Sequence, residues 1–200
     1  MRALFAVARV EQPSVIFIDE IDSLLTGRSS DEQESTRRIK TEFLVQWDGV
    51  GSNKADGLLV IGATNRPQEL DEAARRRLAK RLYIPLPEAA SRQQLIANKL
   101  AHNPNTLTDQ DVEVVVGKTD GFSGSDLGLL CTDAAMGPMR EKQKTRSFEQ
   151  MATLKAEEMR PIELKDFEAA LFQVRASVAQ ADLASLVEWN TTFGSSVAGS

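Results

Sequence analysis

Val15-Ile16-Phe17-Ile18-Asp19-Glu20-Ile21-Asp22, residues 15–22, is the stretch on which the fold turns. Its first four residues are all β-branched or aromatic, and the run is too short for a helix. That pattern predicts a buried parallel strand. The strand ends on two carboxylates, at the edge where open α/β sheets take their ligands. Leu58 to Ile61 repeats the pattern and ends in Gly62-Ala63-Thr64-Asn65-Arg66-Pro67. Arg81 to Leu86, closed by Pro85 and Pro87, reads as a third short strand. Between these runs the spacing is helical. Leu4, Phe5 and Ala8 share one face, as do Ile39, Phe43, Leu44 and Trp47, and Leu70 to Leu78 forms a helix with a basic end.

After Pro87 the pattern is helical throughout. Helices are predicted at about Ser91–His102, Asp126–Met136, Leu164–Val174 and Asp182–Phe193, and Lys142–Glu158 reads as a polar loop with a loose helix. The fold class is therefore α/β followed by an all-helical part. The expected organisation is an α/β region over 1–87, a helical region over 88–178, and a terminal helix with a frayed tail over 179–200.

Composition narrows the functional classes. Of 200 residues, 24 are basic and 29 acidic, so the net charge of −5 argues against a basic nucleic-acid binder. One cysteine, Cys131, allows no internal disulfide, and one histidine, His102, makes histidine-based triads or metal clusters poor readings. No apolar run reaches the ~18 residues of a membrane span, and the Ala3–Ala8 run is short for a signal peptide. The expected location is cytoplasmic, nuclear or both.

Four features carry chemistry. Two carboxylates after a buried strand suit nucleotide hydrolysis: one can hold Mg²⁺ through water, and the other can polarise the attacking water. The competing reading is that Asp19 caps the next helix. A neutral amide at Asn65, again at a strand end, can hold a water or a phosphate, or it simply belongs to a turn. Arg75-Arg76-Arg77, with Lys80 and Arg81 close behind, offers cations to a phosphate, or places them on a helix dipole. Gly121-Phe122-Ser123-Gly124-Ser125-Asp126 before a helix leaves free N–H groups suited to a nucleotide, or is an ordinary capped start.

Taken in order, FIDEIDSLL, RRIKTEFL, GATNRP, LDEAARRRLAKRLYIPLP and GFSGSDL resemble the AAA+ ATPases. The similarity is greatest to the microtubule-severing and membrane-remodelling clade that holds katanin, spastin and fidgetin. Arg75–Leu78, Pro85–Ala89 and Glu188–Gly194 most resemble its fidgetin-like members. The resemblance implies a P-loop NTPase sheet with a helical lid and a C-terminal helix. It implies ATP and Mg²⁺ as ligands and a homo-hexamer as the working form. Asp19 is implied as the Walker-B magnesium residue, Glu20 as the water-activating carboxylate, Asn65 as sensor 1, and Arg76 and Arg77 as paired arginine fingers. Gly124 and Ser125 fall on the sensor-2 region near the base and ribose. Arg28, Arg37 and Arg38 fall on the second pore loop, which faces threaded substrate such as tubulin tails or a strand-exchange recombinase. No direct nucleic-acid contact is implied.

The motif G-x-x-x-x-G-K-[ST] does not occur among the 200 residues. Val114-Val115-Val116-Gly117-Lys118-Thr119 imitates its end, but position 112 is valine where the phosphate cradle needs glycine. Gly117 and Lys118 are expected to end a lid helix by a glycine stop. The sheet is thus expected to be incomplete, with an open edge and an exposed apolar face. Three readings follow: a truncated piece of an ATP-hydrolysing AAA+ remodeller, inactive alone; a short non-hydrolysing module that docks into such hexamers; or an unrelated helical adaptor.

Overall fold

In the computed structural model, residues 1–26, 34–48, 57–145, 150 and 158–195 are described. The chain packs as two compact units, Met1–Tyr83 together with the stretch from Ser185 onward, and Ile84–Ala184.

The first unit opens with α1 (Arg2–Val10) and β1 (Ser14–Ile18). Then come α2 (Ile21–Leu25), α3 (Glu34–Asp48) and β2 (Leu58–Gly62). A single 3₁₀ turn (Pro67–Glu69) leads into α4 (Glu72–Arg77). β1 and β2 pair in parallel, with Ser14 opposite Leu58 and Ile18 opposite Gly62. The core gathers Phe5, Ile16, Ile21, Leu25, Phe43, Trp47, Leu58, Leu70 and Ala74. Phe43 sits between Phe5 and Trp47, with ring centroids 5.7 and 5.2 Å away. Edge and tilted contacts of this kind add to what burial alone supplies.

The exposed apolar face expected of the sheet is present, and one further expectation needs correction. The strands are buried on one face only: Ile16 and Leu58 face the core, while Val15, Phe17, Leu59 and Ile61 are exposed. A run apolar at every position does not report whether a second layer covers it. The predicted strand from Arg81 to Leu86 does not form, and the sheet has two strands among the described residues. A strand requires a partner ladder. The Arg81 backbone is taken instead by Ser195, whose Oγ accepts its N–H at 3.0 Å and whose N–H donates to its carbonyl at 2.9 Å.

The second unit is helical: α5 (Ala89–Leu100), α6 (Asp109–Lys118), α7 (Gly124–Ala135), α8 (Gly137–Gln143) and α9 (Leu164–Gln173). The terminal helix α10 spans Gln180–Phe193. The core of this unit includes Ile96, Leu100, Val115, Leu127, Leu130, Cys131, Ala134, Phe167 and Ala170. Thr108–Asp111, Ser123–Asp126 and Glu163–Asp166 form capping boxes that start α6, α7 and α9. Gly117 does not stop α6 as expected. It lies inside the helix, and the left-handed glycine is Gly121, with φ 79°. Most of Lys142–Glu158 lies outside the described residues.

Candidate nucleotide site

β1 hands the chain to α2 through Asp19 and Glu20. Asp19 Oδ1 accepts the Glu20 N–H at 2.9 Å, which orients its carboxylate at the strand end. Glu20 is the N-cap of α2 in the left-handed region, φ 48° and ψ 45°, and its side chain makes no capping bond. Helix capping by Asp19, the competing sequence reading, is therefore not what the structure contains. Among the described residues, Glu20 is the one non-glycine with positive φ. For an L-residue that conformation costs about 1–2 kcal/mol. Such strain gathers at functional sites.

The end of β2 is locked beside it. Ala63 donates to Ile18 O at 2.9 Å, and Ile21 donates to Ala63 O at 3.0 Å. This brings Asp19 and Glu20 next to Thr64 and Asn65, which are 44 to 46 positions away in sequence. A Cβ at Gly62 would lie 2.6 Å from Ile21 Cδ1, so the first residue of the Gly62–Asn65 turn is small because α2 packs on it. Thr64 Oγ1 donates to Asp22 Oδ1 and accepts the Arg66 N–H at 2.9 Å. Asn65 is exposed. The clasp between Asp22 and Thr64 escaped the sequence reading, because nothing local pairs two residues that distant.

The same framework reaches α4. Leu25 O accepts the Asp71 N–H at 3.0 Å, Thr26 bridges to Leu70, and Asp71 caps α4 by accepting from Ala74 N. The two arginines expected to act alike are held differently. Arg77 makes a two-pronged pair with Asp48 at 2.5 and 2.6 Å and also donates to Ala73 O. Hydrogen bonding to Arg77 holds the Asp48 carboxyl below the usual carboxylate range. Arg76 has a side chain 76% exposed, with Glu72 one turn back as its ion-pair partner. Arg37 and Arg38 are exposed on α3, and Arg28 lies outside the described residues.

Gly124 and Ser125 are in the second unit, exposed in the first turn of α7. Ser123 caps that turn, and Asp126 Oδ2 accepts from Ser123 N, Ser123 Oγ and Ser177 N. The first-turn N–H groups of Gly124 and Ser125 have no intrahelical acceptor. A Cβ on Gly124 would meet nothing within 4 Å, so no packing in this chain requires glycine there. The Gly117-Lys118-Thr119 imitation of a phosphate loop is helix end rather than loop, which bears out its rejection. Among the described residues no cluster of His, Cys, Asp or Glu could hold a metal by protein ligands alone. No described helix is long and apolar enough to cross a membrane.

Residues 1–86 match the model of the ATPase family associated with various cellular activities, AAA. Residues 109–155 match the AAA+ lid domain, and residues 140–194 match the Vps4 C terminal oligomerisation domain. The chain belongs to the AAA ATPases. It is 56% identical over 194 residues to fidgetin-like protein 1 of Xenopus laevis, covering 97% of this chain and 29% of that one. It is 50% identical over 202 residues to spastin of Naegleria gruberi, covering 100% of this chain and 38% of that one. The crystal structure of the FIGL-1 AAA domain in complex with ADP superposes with a TM-score of 0.86 at 50% identity, over 96% of this chain and 62% of that one. The chain thus spans about three tenths of its fidgetin-like relative. Within that family it groups with the fidgetin, katanin and spastin type, and the unrelated-adaptor reading is set aside.

Proposed function

We propose that this AAA chain supplies the water-activating, sensing and trans-acting parts of an ATP-hydrolysing remodeller that works as a homo-hexamer. The observation that carries the reading is Glu20, held in left-handed backbone at a strand end without a capping bond to offset the cost. Its carboxylate makes no capping bond to the helix it begins. In this reading Glu20 takes the proton of the attacking water, and Asn65 positions that water through its amide. Asp19 suits Mg²⁺, which prefers one or two carboxylates with water and phosphate oxygens over an all-protein cage. The ion, when bound, neutralises charge on the phosphates. Arg76, exposed and paired with the likewise exposed Glu72, is the arginine offered to the nucleotide of an adjacent subunit. Arg77, tied to Asp48, serves first to fix α4. Gly124 and Ser125 approach the base and ribose.

The substrate class is an acidic, extended polypeptide, with tubulin tails or a strand-exchange recombinase as candidates. Arg28, Arg37 and Arg38 would face it in the pore. Cytoplasm and nucleus are the compartments where such substrates lie. A second reading rests on one observation: the 200 residues contain no G-x-x-x-x-G-K-[ST]. A polypeptide limited to them would dock into hexamers and supply arginines without a phosphate cradle of its own. The test is Glu20→Gln in the full-length protein. The expected result is ATP-bound assemblies that form and do not turn over. Turnover at the wild-type rate would remove Glu20 from this role.

A further inference from the structure

Arg81 commits its whole guanidinium to main-chain carbonyls. Nη2 donates to Arg75 O at 2.9 Å and Nε to Leu78 O at 3.1 Å, both at the C-terminal end of α4. Nη1 donates to Phe193 O at 2.9 Å, at the last residue of α10. The Arg81 main chain then pairs both ways with Ser195. The last carbonyls of a helix lack intrahelical donors and carry partial negative charge. One cation here serves two helix ends at once. The task needs donors fanned in one plane, which guanidinium has and ammonium lacks.

A second anchor lies alongside. The Arg75 guanidinium stands 5.3 Å from the Phe193 ring centroid, and Phe193 rests against Trp189 at 5.5 Å. The neighbours of Arg76 are thus both spoken for, Arg75 by Phe193 and Arg77 by Asp48. Arg76 projects from a helix of six residues whose end is held by Arg81 and by the C-terminal segment.

We propose that Arg81 is a positioning residue: it docks Trp189–Ser195 onto the end of α4 and so sets the direction in which Arg76 is presented. The inference rests on the arginine-finger reading of Arg76. It makes the end of the chain part of the catalytic geometry, through α4. Misplacing a group by about 1 Å can cost about 100-fold in rate.

The experiment measures kcat, KM for ATP, hexamer fraction and melting midpoint of the full-length protein. The variants are Arg81→Lys, Phe193→Leu, Phe193→Tyr and Arg76→Ala. We expect Arg81→Lys and Phe193→Leu to lower kcat at least tenfold with KM, assembly and melting little changed. We expect Phe193→Tyr, which keeps a ring face for Arg75, to stay near wild type. The inference is overturned if Arg81→Lys and Phe193→Leu keep wild-type kcat while Arg76→Ala loses it. It is equally overturned if the loss in kcat follows a loss of hexamer or of melting midpoint, since the role would then be structural. Should Arg76→Ala itself turn over normally, the arginine-finger reading fails first and the inference with it.

Discussion

Two glycines around the start of α7 separate what the fold needs from what a ligand needs. Gly121 has φ 79°, and an alanine there would be strained by about 1–2 kcal/mol. Gly124 has ordinary helical backbone and open space where a Cβ would go. We therefore expect Gly121→Ala to lower the melting midpoint. Gly124→Ala should leave it unchanged or raise it, because alanine loses less freedom on folding, by about 0.4–1 kcal/mol. If Gly124 lies against a nucleotide, the same alanine weakens ATP binding measured by a fluorescent analogue. A Gly124→Ala variant with wild-type affinity would free that position of its assigned role. Glu20 poses the opposite case, a residue in glycine-like backbone that is not glycine, for which the proposed water-activating role supplies a reason.

Elements hold these residues in place, and their cohesion is measurable. α3 presents Phe43 to Phe5 on α1, and Phe43 is fully buried. Phe43→Ala should cost about 3–5 kcal/mol by chemical denaturation, as buried aromatic truncations do. In the helical unit two buried carboxylates start helices. Burial works to raise the Asp126 carboxyl, but bonds from Ser123 and Ser177 outweigh it and hold it below the ordinary range. Burial likewise opposes ionisation of Asp166, and Arg160 with the Glu163 N–H outweighs it. A carboxyl lowered on folding stabilises above its unfolded value and loses that contribution as pH falls through its folded value. The melting midpoint should therefore drop with acidification from the ordinary carboxylate range downward. Asp126→Asn should flatten that dependence, and an unchanged slope would mean that other carboxylates carry it.

The whole molecule is where the proposed chemistry becomes collective. Arg76 is exposed on α4, with its described ion pair going to Glu72 one turn back on the same helix. An arginine acting on a neighbour predicts a particular mixing curve. Arg76→Ala subunits titrated into wild-type protein should lower hydrolysis more steeply than their fraction while ATP binding per subunit stays constant. A loss of nucleotide affinity in Arg76→Ala would instead place its action within its own subunit. The −5 net charge is modest and sets no steering of its own.

The parts legible in sequence are those with a local physical signature. β1 and β2 announce themselves as short β-branched runs, α7 as a Ser-x-x-Asp start, and the candidate site as carboxylates and an amide at strand ends. Motif order was enough to point to the family. What local pattern does not encode is which partner a group finds. Arg75, Arg76 and Arg77 look equivalent in a row, yet one stacks on Phe193, one grips Asp48 and one pairs with Glu72 on the exposed face of its own helix. Arg81 to Leu86 has the composition of a strand, yet Ser195, 114 positions from Arg81, takes its backbone bonds. The Asp22–Thr64 clasp and the left-handed turn at Glu20 belong to the same class. Periodicity and turn chemistry act over a few residues, so a chain displays them unfolded. Pairing across 40 or 110 residues exists once packing has closed the loops between them.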